Sequence, residues 1–200
     1  MNPWTSLART HGRRCVMSLD IDEATLDAVT ARQCEVIFPL IKPLLEPRPS
    51  LIALDYGCGA GRFTRALQKA TDGFVVGYDP CKELLLANDW WSNEIGLAET
   101  WDHFVVNEVG PYDLIFTAMV LGDPNVDPAA IADDITSILA PNGLLVLLEH
   151  MPETPKQAWW RFRPESFYRD LFSARGIFLD KLGSVEQLSN PVTVMAGRRP

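Results

Sequence analysis

The chain has no long hydrophobic run. Its longest uninterrupted apolar stretch is LLVLL, residues 144–148, far short of the roughly 20 residues a membrane helix needs, so no membrane partner is expected. Basic charge is also scarce: 18 Lys and Arg stand against 26 Asp and Glu, a net charge of -8. Nonspecific nucleic-acid binding draws on a basic surface, and no nucleic-acid partner is expected. The four cysteines, Cys15, Cys34, Cys58 and Cys81, lie far apart. That spacing matches neither a zinc site nor a disulfide scaffold. Reduced, buried thiols and a cytoplasmic location are the expectation. The three histidines, His11, His103 and His150, have no metal-ligand spacing, and no metal is expected. Arg13-Arg14 is followed by CVMSLDID, whose apolar part is too short for a secretory signal.

What is present is an ordinary globular composition, 47% hydrophobic over 200 residues, enough for one domain with a sizeable core. No internal repeat is visible. The proline-rich stretch PLIKPLLEPRPS, 39–50, reads as a broken helix end. It separates an N-terminal helical arm or lid, residues 1–49, from a catalytic domain over 50–200. Asp20 with Glu23 three residues on reads as the start of a helix, which Pro39 should kink or end. From residue 51 strands and helices alternate: LIALDY, a helix at about 61–70, GFVVGYD, a helix CKELLLANDWW, YDLIFTAMV, a helix around Ile131–Leu139 ended by APNG, LLVLLE, and ESFYRDLFSARG stopped by Gly176. Two strand-like segments, about 177–184 and 191–197, follow, and one more short strand should lie within 92–111. Continuous apolar strands alternating with helices predict a doubly wound α/β sheet with helices on both faces.

The most informative stretch is LDYGCGAGRFT, residues 54–64. Gly57, Gly59 and Gly61 fall in a strand-to-helix turn, where glycine permits positive φ and lets a ligand lie against bare main chain. A dinucleotide fingerprint, G-x-G-x-x-G, would need glycine or alanine at position 62, and Arg62 stands there. Arg62 itself reads as a solvated helix residue. The acid two positions before the first glycine, Asp55, suits a ligand bearing an ammonium group rather than a pyrophosphate.

LDYGCGAGRFT resembles the first motif of class I S-adenosylmethionine (SAM)-dependent methyltransferases, (D/E)-x-G-x-G-x-G. Asp79 ends the second strand, 22 residues beyond Gly57, where an acid accepts both ribose hydroxyls of an adenosine. YDLIFTAMVL and LAPNGLLVLLE resemble the family's fourth strand and its fifth with the preceding turn. The likeness covers roughly residues 50–197 and implies a Rossmann-like sheet of seven strands in the order 3-2-1-4-5-7-6, strand 7 antiparallel. It implies SAM as cofactor, S-adenosylhomocysteine (SAH) as product, and cofactor contacts from Asp55, Gly57, Cys58, Gly59, Gly61, Asp79, Pro80, Thr117 and Met119. The family's turn after strand three is less clear here. Trp101 stacking on adenine with Asp102 on its amine is one assignment, and Asn107 is the alternative.

The family commonly roofs its substrate with the N-terminal arm and the connection after strand five, here MPETPKQAWWRFRP. Trp159, Trp160, Arg161 and Arg163 are the candidate substrate residues, and aromatic rings beside guanidinium groups suit a flat or sugar-like ligand with an anionic group. His150 is the first candidate for a general base, with His11 and Glu149 behind it. The expected reaction is methylation of a small polar molecule, tilted toward O-methylation of a sugar or other metabolite. Two alternatives stand beside it: a nicotinamide-dependent Rossmann reductase, disfavoured by Arg62 and by the lack of a Tyr-x-x-x-Lys pair, and a catalytically silent SAM-binding protein.

Overall fold

A computed structural model describes residues 3–45, 50–87, 95–98, 110–151, 160–188 and 190–200, with backbone only at 95–98. The arm holds α1 (Pro3–His11), a 3-10 turn (Gly12–Val16) and α2 (Glu23–Ile41). The described remainder runs β1 (Ile52–Tyr56), α3 (Thr64–Thr71), β2 (Phe74–Tyr78), α4 (Lys82–Leu85), β3 (Ile95–Ala98), β4 (Tyr112–Ala118), α5 (Pro128–Ile138), β5 (Leu139–His150), α6 (Glu165–Ser173), β6 (Asp180–Gln187) and β7 (Asn190–Arg198). No described helix is long and apolar enough to cross a membrane.

The strands form one seven-stranded sheet in the order β3-β2-β1-β4-β5-β7-β6. β1 to β5 pair in parallel, and β7 runs antiparallel to both β5 and β6. This is the expected sheet. Strand residues alternate between its faces. On one face Leu54, Val76, Ile115, Leu145 and Leu147 pack against Ile131 and Ile135 of α5 and Tyr168 and Phe172 of α6. On the other, Ala53, Val75, Leu114, Phe116, Val146 and Leu148 meet Ile37 and Ile41 of α2 and Leu67 of α3. A smaller cluster, Ala8, Cys15, Ala60, Cys81 and Leu84 with Trp4, Leu7 and Val16, seats the arm against the glycine turn and α4. The four cysteines are free.

Local differences from the sequence reading have simple causes. The N-cap of α2 is Asp22, whose side chain accepts from the Thr25 amide at 2.7 Å, not Asp20, which lies two residues too early to reach a free amide of the first turn. Pro39 sits inside α2, which continues to Ile41. In the last turn a missing N–H forfeits only one intrahelical bond, and the apolar face of Ile37 and Ile41 keeps the helix packed. APNG does not end α5 as a separate turn but belongs to the extended β5 segment, with Asn142 at φ 62.

Candidate functional site

The chain crosses from one side of β1 to the other after β3, so β1 and β4 flank the switch point of the sheet. Ligands of such sheets bind beyond the carboxyl ends of these strands. A cavity of about 460 Å³ opens there, within the range of small-molecule sites, lined from the glycine turn, the ends of β2 and β4, the start of α5 and the arm.

The glycine turn forms the first wall. Gly57, Gly59 and Gly61 have φ of 71, 55 and 72, values that a side chain disfavours. A Cβ on Gly57 would lie 2.3 Å from Val120 Cγ2 on the opposite wall, and one on Gly59 would lie 3.1 Å from Val16. The amides of Gly57 and Cys58 both donate to the Tyr78 carbonyl, at 2.8 and 2.9 Å, tying the turn to β2. Asp79 accepts from the Gly59 amide at 2.8 Å and from the Cys81 amide at 2.7 Å, one bond per oxygen. A carboxylate has about four acceptor sites, so each oxygen retains capacity toward the cavity. Burial pushes Asp79 up to about 6, against those two amide bonds. Asp55, 2% exposed, accepts from the Thr64 hydroxyl at 2.6 Å. Burial raises it to about 7, the Thr64 bond opposing, with repulsion from Asp79 and attraction to Arg62 as smaller influences.

The second wall is the chain leaving β4. Met119 takes φ 54 and its amide donates to the Leu148 carbonyl at 2.8 Å. The next two amides, Val120 and Leu121, both donate to Glu149 Oε1, at 2.9 and 2.7 Å. Glu149 is fully buried, and that burial raises it to about 8 despite the amide bonds. Arg163 donates to the Leu121 carbonyl, and the Arg161 amide donates to the Gly122 carbonyl at 2.8 Å. Trp160 lies so close to Gly122 that a Cβ there would meet its ring at 2.1 Å. Asp123 accepts from the Asn125 amide and side chain at 2.7 and 2.8 Å on one oxygen, and from Trp4 Nε1 at 2.5 Å on the other. Trp4 thus reaches from α1 across the cavity, while Arg9 of the same helix pairs with Glu83 at 2.6 Å on the β2 side.

A family model described as a methyltransferase domain matches residues 29–178, three quarters of the chain. The chain belongs to the class I SAM-dependent methyltransferase family. Among solved structures, it is similar to magnesium protoporphyrin IX methyltransferase from Synechocystis PCC 6803 with bound SAH, at 16% identity, covering 98% of this chain and 96% of that one with a TM-score of 0.73. It is similar to human N-acetylserotonin methyltransferase in complex with SAM, at 16% identity over 99% of this chain and 59% of that one, TM-score 0.67. An O-methyltransferase family protein from Burkholderia thailandensis is 13% identical over 87% of this chain and 58% of that one, TM-score 0.66. At these identities the likeness is one of fold. No curated protein sequence matches the chain.

Within this methyltransferase fold the expected cofactor residues Asp55, Gly57, Cys58, Gly59, Asp79, Pro80 and Met119 line the cavity. Gly61 and Thr117 stand just behind the lining, Gly61 closing the turn onto the Cys58 carbonyl at 2.8 Å and Thr117 fully buried in β4. Trp101, Asp102 and Trp159, together with Asn107 and His103, lie outside the described residues. The expected substrate and base residues fall elsewhere. Trp160 and Arg163 brace the second wall from behind, with the Arg163 guanidinium 4.8 Å above the Phe167 ring. Arg161 is exposed and His11 ends α1, both away from the lining. Consecutive residues of a strand point to opposite faces. Glu149 therefore turns toward α6, and His150 turns toward β6 and β7, where Nδ1 bonds the Pro191 carbonyl at 3.0 Å.

Several lining residues escaped the sequence reading. Arg62 is not a solvated helix residue. It lines the cavity, donates to Thr30 Oγ1 at 3.1 Å and to Gln33 Oε1, and stands 4.9 Å from the Phe63 ring. Burial lowers it to about 10. Asp123, Asn125, Val126 and Asp127 also line the cavity. Their only sequence signal was a turn-rich stretch between β4 and α5.

Proposed function

We propose that the chain is an enzyme that binds SAM in this cavity and transfers its methyl group to a small polar molecule, leaving SAH. The observation that carries the reading is the joint geometry of Asp79 and the glycine turn. An acid with spare acceptor capacity ends β2, beside a main-chain surface that no side chain could share. In this reading Asp79 accepts the ribose hydroxyls. Gly57, Cys58 and Gly59 present bare backbone to the methionyl portion, Asp55 places negative charge near its ammonium group, and Met119 and Val120 border the sulfonium. When bound, SAM supplies a methyl group already activated by positive charge, transferred by in-line displacement.

The residues of the chain then have mainly to align the acceptor and exclude water. Each lining carboxylate holds a structural partner: Asp55 has Thr64, Asp79 has Gly59 and Cys81, Asp123 has Trp4 and Asn125, and Asp127 caps α5 through the Ala129 amide at 2.9 Å. No histidine stands among the described lining residues.

The arm, residues 1–49, serves as the lid over a catalytic domain of residues 50–200. Pro3, Trp4 and Val16 supply lining, and the Trp4–Asp123 bond spans the mouth. For the acceptor we favour O-methylation of a sugar or other polar metabolite. Trp4 and Asn125, which both line the cavity and both bond Asp123, support that class, since an aromatic ring and a side-chain amide together suit hydroxylated rings. The anionic group expected on the ligand loses the support of Arg163, which is committed to the Leu121 carbonyl, and of Arg161, which is exposed and outside the lining.

The test is turnover. Incubated with methyl-labelled SAM and a panel of sugars, phenols, amines and carboxylates, the protein should release SAH and label a hydroxyl-bearing compound. Labelling confined to amines would overturn the O-methylation reading, and tight SAH binding without any turnover would leave a silent binding protein.

A further inference from the structure

A line of hydrogen bonds runs away from the cavity. Arg62 donates to Gln33 Oε1; Gln33 Nε2 donates to Gln187 Oε1 at 3.2 Å; Gln187 Nε2 meets His150 Nε2 at 3.4 Å; and His150 Nδ1 meets the Pro191 carbonyl at 3.0 Å. Gln33 is completely buried in the middle of α2 and Gln187 is 6% exposed at the end of β6. Long polar side chains are seldom buried unless their groups are matched. Here they are matched in one direction only: every N–H along the line points from Arg62 toward His150. The direction also fixes the imidazole tautomer, with the proton on Nδ1 facing Pro191 and Nε2 left to accept.

We propose that Gln33, Gln187 and His150 are positioning residues that hold Arg62 on the cavity wall, and that protonation of His150 releases it. A proton on His150 Nε2 would face the Gln187 amide N–H, donor against donor. Gln187 would have to turn its oxygen toward the ring, presenting its NH₂ to the NH₂ of Gln33. Gln33 would turn in the same way and present a donor to the Arg62 guanidinium. Arg62 would then keep only the Thr30 hydroxyl at 3.1 Å.

The surroundings fit a neutral ring. His150 is faced by Gln187 from β6, the Pro191 carbonyl from β7, the Phe162 ring at 6.2 Å and the charge of Arg62 from the glycine turn. Glu149 beside it points to the other face of the sheet. Burial lowers the imidazole, the Pro191 bond opposes, and repulsion from Arg62 adds to the lowering. Arg62 in turn is faced by Asp55, Cys34, Thr30 and Gln33.

The consequence for cofactor affinity rests on the function proposed above; the coupling of His150 to Arg62 does not. NMR of the ligand-free protein follows the Arg62 Nε–H resonance and the His150 ring between about pH 8 and 4.5, a range carried below that of an ordinary imidazole because burial lowers His150. The Arg62 signal should move with the His150 midpoint. The part of the movement that follows the His150 midpoint should vanish in His150→Gln, which cannot titrate, and in Gln187→Met, where His150 still titrates but the line is cut; the part caused by Asp55, raised to about 7, stays in all three proteins. SAH affinity in the wild type should fall over the same range about 5-fold more than in His150→Gln, the scale of one lost buried hydrogen bond. An Arg62 resonance that stays still while His150 titrates in the wild type overturns the proposal without need of any variant. So do identical pH profiles of SAH affinity in wild type and His150→Gln, or a difference of opposite sign. If the wild type binds no SAH, the proposed function fails and the Arg62 resonance still decides the relay.

Discussion

The two walls of the cavity are both main chain, and they are built in opposite ways. The glycine wall is held by the end of the adjoining strand β2: amides of Gly57 and Cys58 on Tyr78, and Gly59 on Asp79. The wall after β4 is held from far away in the chain, by Glu149 beneath it, Arg163 and Trp160 behind it and Trp4 across the mouth. A surface shaped to receive a ligand against bare backbone constrains which residues occupy it. A surface that must only be held still constrains which residues stand behind it. The walls meet where Val120 occupies the space a Gly57 side chain would need.

The largest expected effect lies at that meeting point. Gly57→Ala places a Cβ 2.3 Å from Val120 Cγ2 at φ 71, and strain plus overlap should weaken SAH binding by about 100-fold, with partial recovery in Gly57→Ala/Val120→Ala. Calorimetry on both variants checks it; no recovery in the double variant would mean that the backbone conformation alone sets the penalty. Next comes Asp79→Ala, which removes the acceptor from the glycine wall. A charge-assisted hydrogen bond contributes about 1.5–3 kcal/mol, so affinity for SAH should fall roughly 10-fold or more.

The third effect separates the walls by pH. Glu149 is raised from 4.5 to about 8 by burial, so the fold favours its protonated form. Its contribution to stability is whole below about pH 4.5 and is lost as the pH climbs toward about 8. Glu149→Gln keeps an oxygen for the Val120 and Leu121 amides and cannot ionise. Its melting temperature should fall less than that of the wild type between about pH 5 and 8, by a difference of about 7 °C or more. Asp55 and Asp79, raised to about 7 and about 6, slope the same way in both proteins and cancel in the comparison. Parallel melting curves would show that burial behind the second wall does not hold Glu149 protonated. The smallest effect belongs to the latch. Trp4→Phe keeps the ring and removes the bond to Asp123, and SAH should dissociate about 2–5-fold faster, as read by stopped-flow fluorescence.

The same contrast explains what the sequence disclosed. The sheet was legible because buried parallel strands are continuous apolar runs, as in LLVLL, and because the glycine turn and Asp79 are specified within a short span. Glu149 and His150 were legible as residues at the end of β5, but their roles were not. Which of two consecutive side chains turns toward the cavity depends on the pleat, and neither lines it. Arg62 drew a solvated assignment because its partners Thr30 and Gln33 lie about 30 residues upstream on α2. Trp160 and Arg163 were recognised as important aromatic and cationic groups. They brace a wall instead of facing a ligand, a distinction set by three-dimensional packing against Gly122 and Leu121.

The most direct measurement is isothermal titration of the purified wild-type chain with SAH, with NAD as the control nucleotide. A single saturable site for SAH, abolished or severely weakened in Gly57→Ala and no binding of NAD, is the predicted result. Absence of SAH binding, or occupancy of the cavity by NAD, would contradict the account.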